Sequence, residues 1–386
     1  MRKEQVQHHF FQGWKSSGLT YLGLALLLYG SVNLTSGMVS GDFDAIVEGM
    51  GRNYLLLILA LAALYVDEMG QKGLEQALKV WVWGAMAMAA ITYLGYLLTF
   101  MGYPNRAVAT IANYPYWGTV YRAAGWTGGS GMLVLVFIVP TLYAWRKWRD
   151  KTWHWSIWTC LLFVLFLTLS KEVVLVLLGM LMVDPYWRQL PNILRLSLIA
   201  LFAGVFWFGT HFLILPQQDI NETYLNNTQF TNEKILGNIG DYQVVETSYT
   251  ALKRAGWAVA IKYPWLGVGP GQFSKQLPKE KQLGTYPKHI PNYDPHSTWM
   301  GAFSETGLLG LTSLLLILFL LFPVLYESWL GYQDNAAIQS LTVYLWVLLL
   351  ASVSVDAMNF RHLWIPIGLL LGFKIHQRGQ IATVAS

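Results

Sequence analysis

Charge is what this sequence has least of. Of its 386 residues only 12% are Asp, Glu, Lys or Arg, against roughly 25% in a soluble domain. With 54% hydrophobic residues and a mean hydropathy of +0.39, that shortage excludes an ordinary soluble domain. Cysteine is nearly absent as well. The single Cys160 lies in an apolar run and permits neither an intrachain disulfide nor a Cys-based metal site. No internal repeat or low-complexity tract is present. No small-residue cleavage site follows the first apolar run, so the first span is expected to stay in the mature protein.

What is abundant is apolar sequence in blocks. A membrane span needs about 20 such residues. Apolar runs fall at 19–39, 53–66, 80–101, 129–145, 153–169, 173–183, 196–215, 299–326, 338–355 and 363–373. The expected fold is therefore all-α: a polytopic transmembrane helical bundle of about ten spans. Residues 102–125 read as a Tyr/Pro/Gly-rich loop, and 184–195, with two prolines, as a connector. The expected organisation is seven spans over 1–215, a large loop over 216–298 and the last spans over 299–386.

The net charge of +5 does not point to nucleic acid, because Lys and Arg concentrate in cytoplasmic loops of membrane proteins. With the N-terminus inside, Arg146, Lys147, Arg149, Lys151, Arg188 and Arg195 all fall on the inner side. The short outer loops keep only Arg52, Arg106, Arg122, Lys171 and Arg361. This bias puts both termini in the cytoplasm and the long insert outside, in the periplasm.

The insert holds the residues that could carry chemistry. Residues 216–241 are polar and Asn-rich, a lid or irregular segment. Residues 244–262 space Leu252, Ala255 and Val259 as a helix would, lying along the membrane surface and carrying Lys253, Arg254 and Lys262. In PWLGVGPGQF (264–273), Gly267, Gly269 and Gly271 alternate. That suits an open turn whose N–H groups converge on an anion, or simply a tight turn between two helices. His296 precedes the eighth run and has a side chain able to accept a proton near neutral pH; the alternative is an interfacial polar residue. His289 competes with it. Glu305, inside the start of that run, needs a partner: either a role beside His296 or a cation, or a salt bridge to Arg361 or Lys171. Asp219, Glu222, Glu233, Asp241, Glu246, Glu280 and Asp294 are dispersed, so no metal site is expected; no cofactor is expected either.

PWLGVGPGQF followed by PHSTWMGAFSETGLLGL (295–311) resembles the signature of the O-antigen ligase and O-antigen polymerase superfamily. YRAAGWTGGSGMLVLVFIVP (121–140) is similar to that family's Arg-x-x-Gly segment, and LTLSKEVVLVLL (167–178) to its Thr-x-Ser-Arg segment, with Lys171 where arginine is usual. Arg361 falls where many members carry an arginine. The family is usually drawn with roughly twelve spans, two more than the apolar runs here. The resemblance implies a bacterial inner-membrane glycosyltransferase that moves a glycan from undecaprenyl diphosphate to an acceptor hydroxyl, without metal and with inversion. It implies His296 and Arg254 as catalytic residues, and Arg122, Lys171, Lys253 and Arg361 as diphosphate ligands, with Lys253 and Arg254 competing for one role. Glu305, Gly267, Gly269, Gly271 and His289 would support them. The implied partners are the carrier-linked donor, membrane lipids and a lipid A–core acceptor. The alternatives are a polymerase acting on a second carrier-linked glycan and a protein O-oligosaccharyltransferase. A transporter or flippase, the reading outside the enzymes, would need polar residues and broken helices at midspan, where few charges occur.

Overall fold

The structure is a computed structural model and describes residues 18–103, 105, 108–114, 118–148, 151, 154–216, 235–288 and 290–385. It is mostly helical. In chain order the helices are α1 (Thr20–Ser40), α2 (Phe43–Phe100), α3 (Ser130–Lys147), α4 (His154–Leu167), α5 (Val173–Val183), α6 (Asn192–His211), α7 (Ser248–Lys262), α8 (Phe273–Gln282), α9 (Thr298–Gly331), α10 (Ala336–Ala351) and α11 (Arg361–Ala385). Among the described residues four helices, α1, α2, α6 and α9, are long and apolar enough to cross a membrane, and α5, α10 and Trp155–Leu167 of α4 are shorter apolar helices.

Each apolar run lies on a helix, but the second and third share one. The 58 residues of α2 continue through the polar stretch between them and leave helical geometry at Gly70 (φ 58°, ψ −146°). A side chain is strained there, and an added Cβ would meet the His376 ring 2.7 Å away.

The all-α expectation needs one correction, because two small antiparallel sheets are present. In the first, β1 (Ala109–Tyr114) pairs with β2 (Gly118–Ala123), placing Thr110 opposite Arg122; this hairpin replaces the loop expected over 102–125. The second has the order β3-β5-β4, from β3 (Phe212–Pro216), β4 (Ile235–Ile239) and β5 (Tyr242–Glu246). Gly240, at φ 59°, and Asp241 form a two-residue connection of the kind that suits a hairpin. The seventh apolar run thus stops being helix at His211 and ends as a strand. The helix expected from 244 begins at Ser248, because Tyr242–Glu246 pairs in this sheet. Most of the 216–241 segment, and His289, lie outside the described residues.

The chain divides into two compact units. One comprises Met1–Leu78, Ala255–Lys279 and Asn292–Ser386; the other comprises Lys79–Arg254 and Glu280–Pro291. In the first, α9 packs on α1 and on α10, and α10 on α11. In the second, α3 packs on α4 and α5, with Leu133, Phe137, Ile138 and Leu142 fully buried.

Candidate functional site

In the first unit the glycine turn and the start of α9 are built for each other. Gly307 breaks the helical path of α9 (φ 67°, ψ −163°), which frees backbone groups on both sides of the break. The turn takes them up. Val268 and Gly269 N–H donate to the Ser304 and Glu305 carbonyls at 3.0 and 2.9 Å, and Leu308 and Leu309 N–H donate to the Pro264 and Trp265 carbonyls at 2.7 and 3.3 Å. Ser36 Oγ from α1 donates to the Leu266 and Glu305 carbonyls. The contact is so close that an added Cβ on Gly267 would overlap the Glu305 carbonyl, and one on Gly307 would overlap the Trp265 carbonyl. Gly267 N–H donates to the Tyr263 carbonyl at 3.1 Å, so the N–H groups of Gly267, Val268 and Gly269, which could have faced an anion, are all spent inside the fold.

Glu305 and Arg52 sit immediately behind this crossing, 2% and 4% exposed. They form a buried ion pair, so the partner of Glu305 is Arg52 of α2, neither Arg361 nor Lys171. The other two guanidinium nitrogens also have partners: Nε donates to Asn359 Oδ1 at 2.9 Å and Nη1 to Asn33 Oδ1 at 3.2 Å. Asn359 in turn donates to Asp356 at 3.2 Å. Removing such a charge from water is offset only when every hydrogen-bonding site is met. Burial pushes the Asp356 carboxyl up to about 7, with the Arg52 charge opposing and Glu305 adding to the rise.

His296 stands just before α9, half-buried, with its ring tilted over Tyr293 at 5.6 Å. Its backbone is left-handed (φ 45°), an uncommon conformation for a residue with a side chain. The first residues of α9 fix its position. Thr298 N–H donates to the Ser352 and Val355 carbonyls. Thr298 Oγ1 donates to Val355 O at 2.8 Å and accepts from Ala357 N–H at 2.9 Å, and Trp299 Nε1 donates to Ser352 Oγ at 2.9 Å. The start of α9 is thus tied to the turn carrying Asp356. Arg361 of this unit is exposed, with its guanidinium 6.0 Å from the Tyr54 ring centre.

The second unit gathers cations. Lys171 lies just beyond α4, and its Nζ is 3.4 Å from the centre of the Tyr249 ring and 4.0 Å from Glu172 Oε1. Leu169, two residues earlier, is left-handed (φ 45°). Arg122 of β2 donates through Nε to the Thr168 carbonyl at 2.9 Å. Burial, with the Arg122 charge adding to it, brings Lys171 down to about 8, and Glu172 acts against both. On α7, Lys253 is likewise brought to about 8 by burial and by the Lys171 charge. Burial raises the Tyr249 phenol. Glu172, itself buried, accepts from Ser170 Oγ. Arg254, adjacent in sequence, points elsewhere: it is 46% exposed and paired with Glu246 at 2.8 Å.

Of the residues singled out from sequence, Arg122, Lys171 and Lys253 come together in one unit. His296, Glu305, Arg361 and the three glycines belong to the other, where Gly267, Gly269 and Glu305 share one backbone crossing. Arg52, Asp356, Glu172, Tyr249 and His211 were missed. Arg52 and Glu172 carried a visible signal, each being a charge bordering an apolar run; the others carried none.

Residues 156–315 match the family described as O-Antigen ligase. That match supports the O-antigen ligase superfamily for this segment. The matched span holds Lys171, Lys253, the glycine turn, His296 and Glu305, and leaves Arg52, Arg122 and Arg361 outside. The family and the apolar helices together support a membrane glycosyltransferase type of function. No curated protein matches the chain.

Proposed function

We propose that this protein is a member of that superfamily and transfers a glycan from undecaprenyl diphosphate to an acceptor hydroxyl at the periplasmic face of the inner membrane, as a ligase acting on lipid A–core. The observation that carries the reading is the grouping of Arg122, Lys171 and Lys253: the Arg122 charge lowers the proton affinity of Lys171, and the Lys171 charge lowers that of Lys253. Like charges held together are unfavourable unless anions meet them, and Glu172, 4.0 Å from Lys171, offsets only one of the three. A diphosphate meets them: the Arg122 fork matches phosphate oxygens in pairs, while the two ammonium groups act as compact point charges. As the bond from the sugar C1 to the leaving phosphate oxygen breaks, its electron pair leaves with undecaprenyl diphosphate, and the three cations stabilise that charge.

In the same reading His296 takes the acceptor proton as the acceptor oxygen bonds to C1 from the opposite side, which inverts the anomeric centre. Support comes from its left-handed backbone, since strained conformations gather at functional positions. Glu305 is assigned to holding Arg52, and Lys253 rather than Arg254 to the diphosphate. The test is transfer by purified protein in nanodiscs from a lipid-linked glycan. His296→Ala is expected to abolish product while donor binding persists; turnover near that of the unmodified protein removes His296 as the base. Lipid A–core, a second carrier-linked glycan and an acceptor protein, supplied in competition, separate ligase from polymerase and protein transferase.

A further inference from the structure

His211 ends α6 and takes no part in the transfer chemistry proposed above. Its Nδ1 lies 2.8 Å from the Trp207 carbonyl. A carbonyl only accepts, so Nδ1 carries the hydrogen and Nε2 keeps its lone pair. That lone pair faces Lys253 Nζ at 2.5 Å. The ring is braced against Trp207, with centroids 4.8 Å apart. The backbone is braced too: the His211 carbonyl accepts from Thr247 N–H at 3.0 Å and from Thr250 Oγ1 at 3.2 Å, and the Thr210 carbonyl accepts from Thr247 Oγ1. The last turn of α6 is thereby fixed to the first turn of α7, one turn before Lys253.

We propose that His211 is a positioning residue for Lys253: its Nε2 accepts from the ammonium and aims it at the cation cluster. The groups that act on Lys253 explain why an acceptor is needed. Lys171 repels it from the α4–α5 turn; Arg122 on β2 adds positive charge beside Lys171; Glu172 and Tyr249 are engaged with Lys171; and Glu246 is taken by Arg254. Left alone, the Lys253 ammonium would turn from Lys171 towards water. A neutral imidazole holds it in place and favours its charged form, because hydrogen bonding to a charged form raises its share. This deepens the donor-binding reading and rests on it for its purpose, though its geometry stands independently.

Competitive labelling of lysines with a trace amine-reactive anhydride at a series of pH values, read by peptide mass spectrometry on the full chain in nanodiscs, gives the Lys253 titration directly. Lys253 in the unmodified chain is expected to titrate near pH 8. His211→Gln, which keeps an acceptor, should hold that midpoint, and His211→Phe, which keeps the bulk alone, should move it to lower pH and raise labelling at neutral pH several-fold. Equal midpoints in all three, or equal falls in both variants, overturn the proposal. A second measurement needs neither variant: Lys253→Met frees Nε2 and should raise His211 carbethoxylation by diethyl pyrocarbonate several-fold, and unchanged reactivity overturns the proposal. If labelling behaves as expected while Lys253→Ala leaves binding of undecaprenyl diphosphate intact, the donor reading falls and the positioning role stands.

Discussion

The ammonium of Lys171 stands over the ring of Tyr249, 3.4 Å from its centre. A desolvated contact of this kind is worth about 2 kcal/mol, and it holds a charge that burial would otherwise expel. The balance sets a pH window. Lys171 and Lys253 are both brought to about 8, from an ordinary value of about 10.4. Donor binding is therefore expected to weaken as pH rises through about 8, when the cluster sheds its protons. The linked effect on folding has the opposite sign. The penalty of holding these lysines charged is fully present below about pH 8 and is relieved towards about pH 10.4, so their contribution to stability rises across that interval. Isothermal titration with undecaprenyl diphosphate, alongside thermal melts at the same pH values, checks both signs.

The meeting of Gly267 and Gly307 gives a prediction about folding. Each has a positive φ of 67° and each would place a Cβ against the other segment's backbone. Gly267→Ala or Gly307→Ala is expected to destabilise by more than about 2 kcal/mol, from strain and overlap together. Gly256→Ala is the control, because its Cβ would meet only the Met300 side chain, at 3.4 Å. Melting temperatures in nanodiscs should fall for the first two and hold for the third.

Arg52 and Glu305 make a third case. Removing one member of a buried pair strands the other, at about 3–5 kcal/mol. Glu305→Leu and Arg52→Met should each destabilise on that scale, and the double variant should lose less than the sum. Additive losses in the cycle would mean that the two side chains do not act as a pair.

Asp356 predicts a pH slope. Its carboxyl is raised to about 7 from an ordinary value of about 3.9, so the folded chain holds a proton that the unfolded chain has lost. Stability contributed at this position falls as pH rises from about 4 to about 7. Asp356→Asn should flatten that part of the melting-temperature profile; an unchanged slope assigns it to other groups.

How much of this could be read from the chain depends on the range of each interaction. Apolar runs are local and composition reveals them, so helices appear where expected. The end of the seventh run does not, because its last residues are apolar either way and the pairing of Leu213 with Val245 makes them a strand. The two glycine motifs are visible as motifs, yet their complementarity is a backbone contact between segments far apart in sequence. Arg52 looked like an ordinary loop charge because its partner is 253 residues away. Lys253 and Arg254 are indistinguishable as neighbours in sequence, but successive residues on a helix point about 100° apart, so one meets His211 and the other Glu246. His211 lies inside the seventh apolar run, where only the fold brings α7 to it.

The most direct measurement is kcat/KM for the lipid-linked donor with Arg122→Ala, Lys171→Ala, Lys253→Ala and Arg254→Ala assayed side by side. If these cations hold the diphosphate, each of the first three variants loses at least about tenfold, or about 1.4 kcal/mol, while Arg254→Ala changes by no more than about twofold. Lys171→Ala and Lys253→Ala enzymes that match the unmodified protein would contradict a diphosphate seated among these cations.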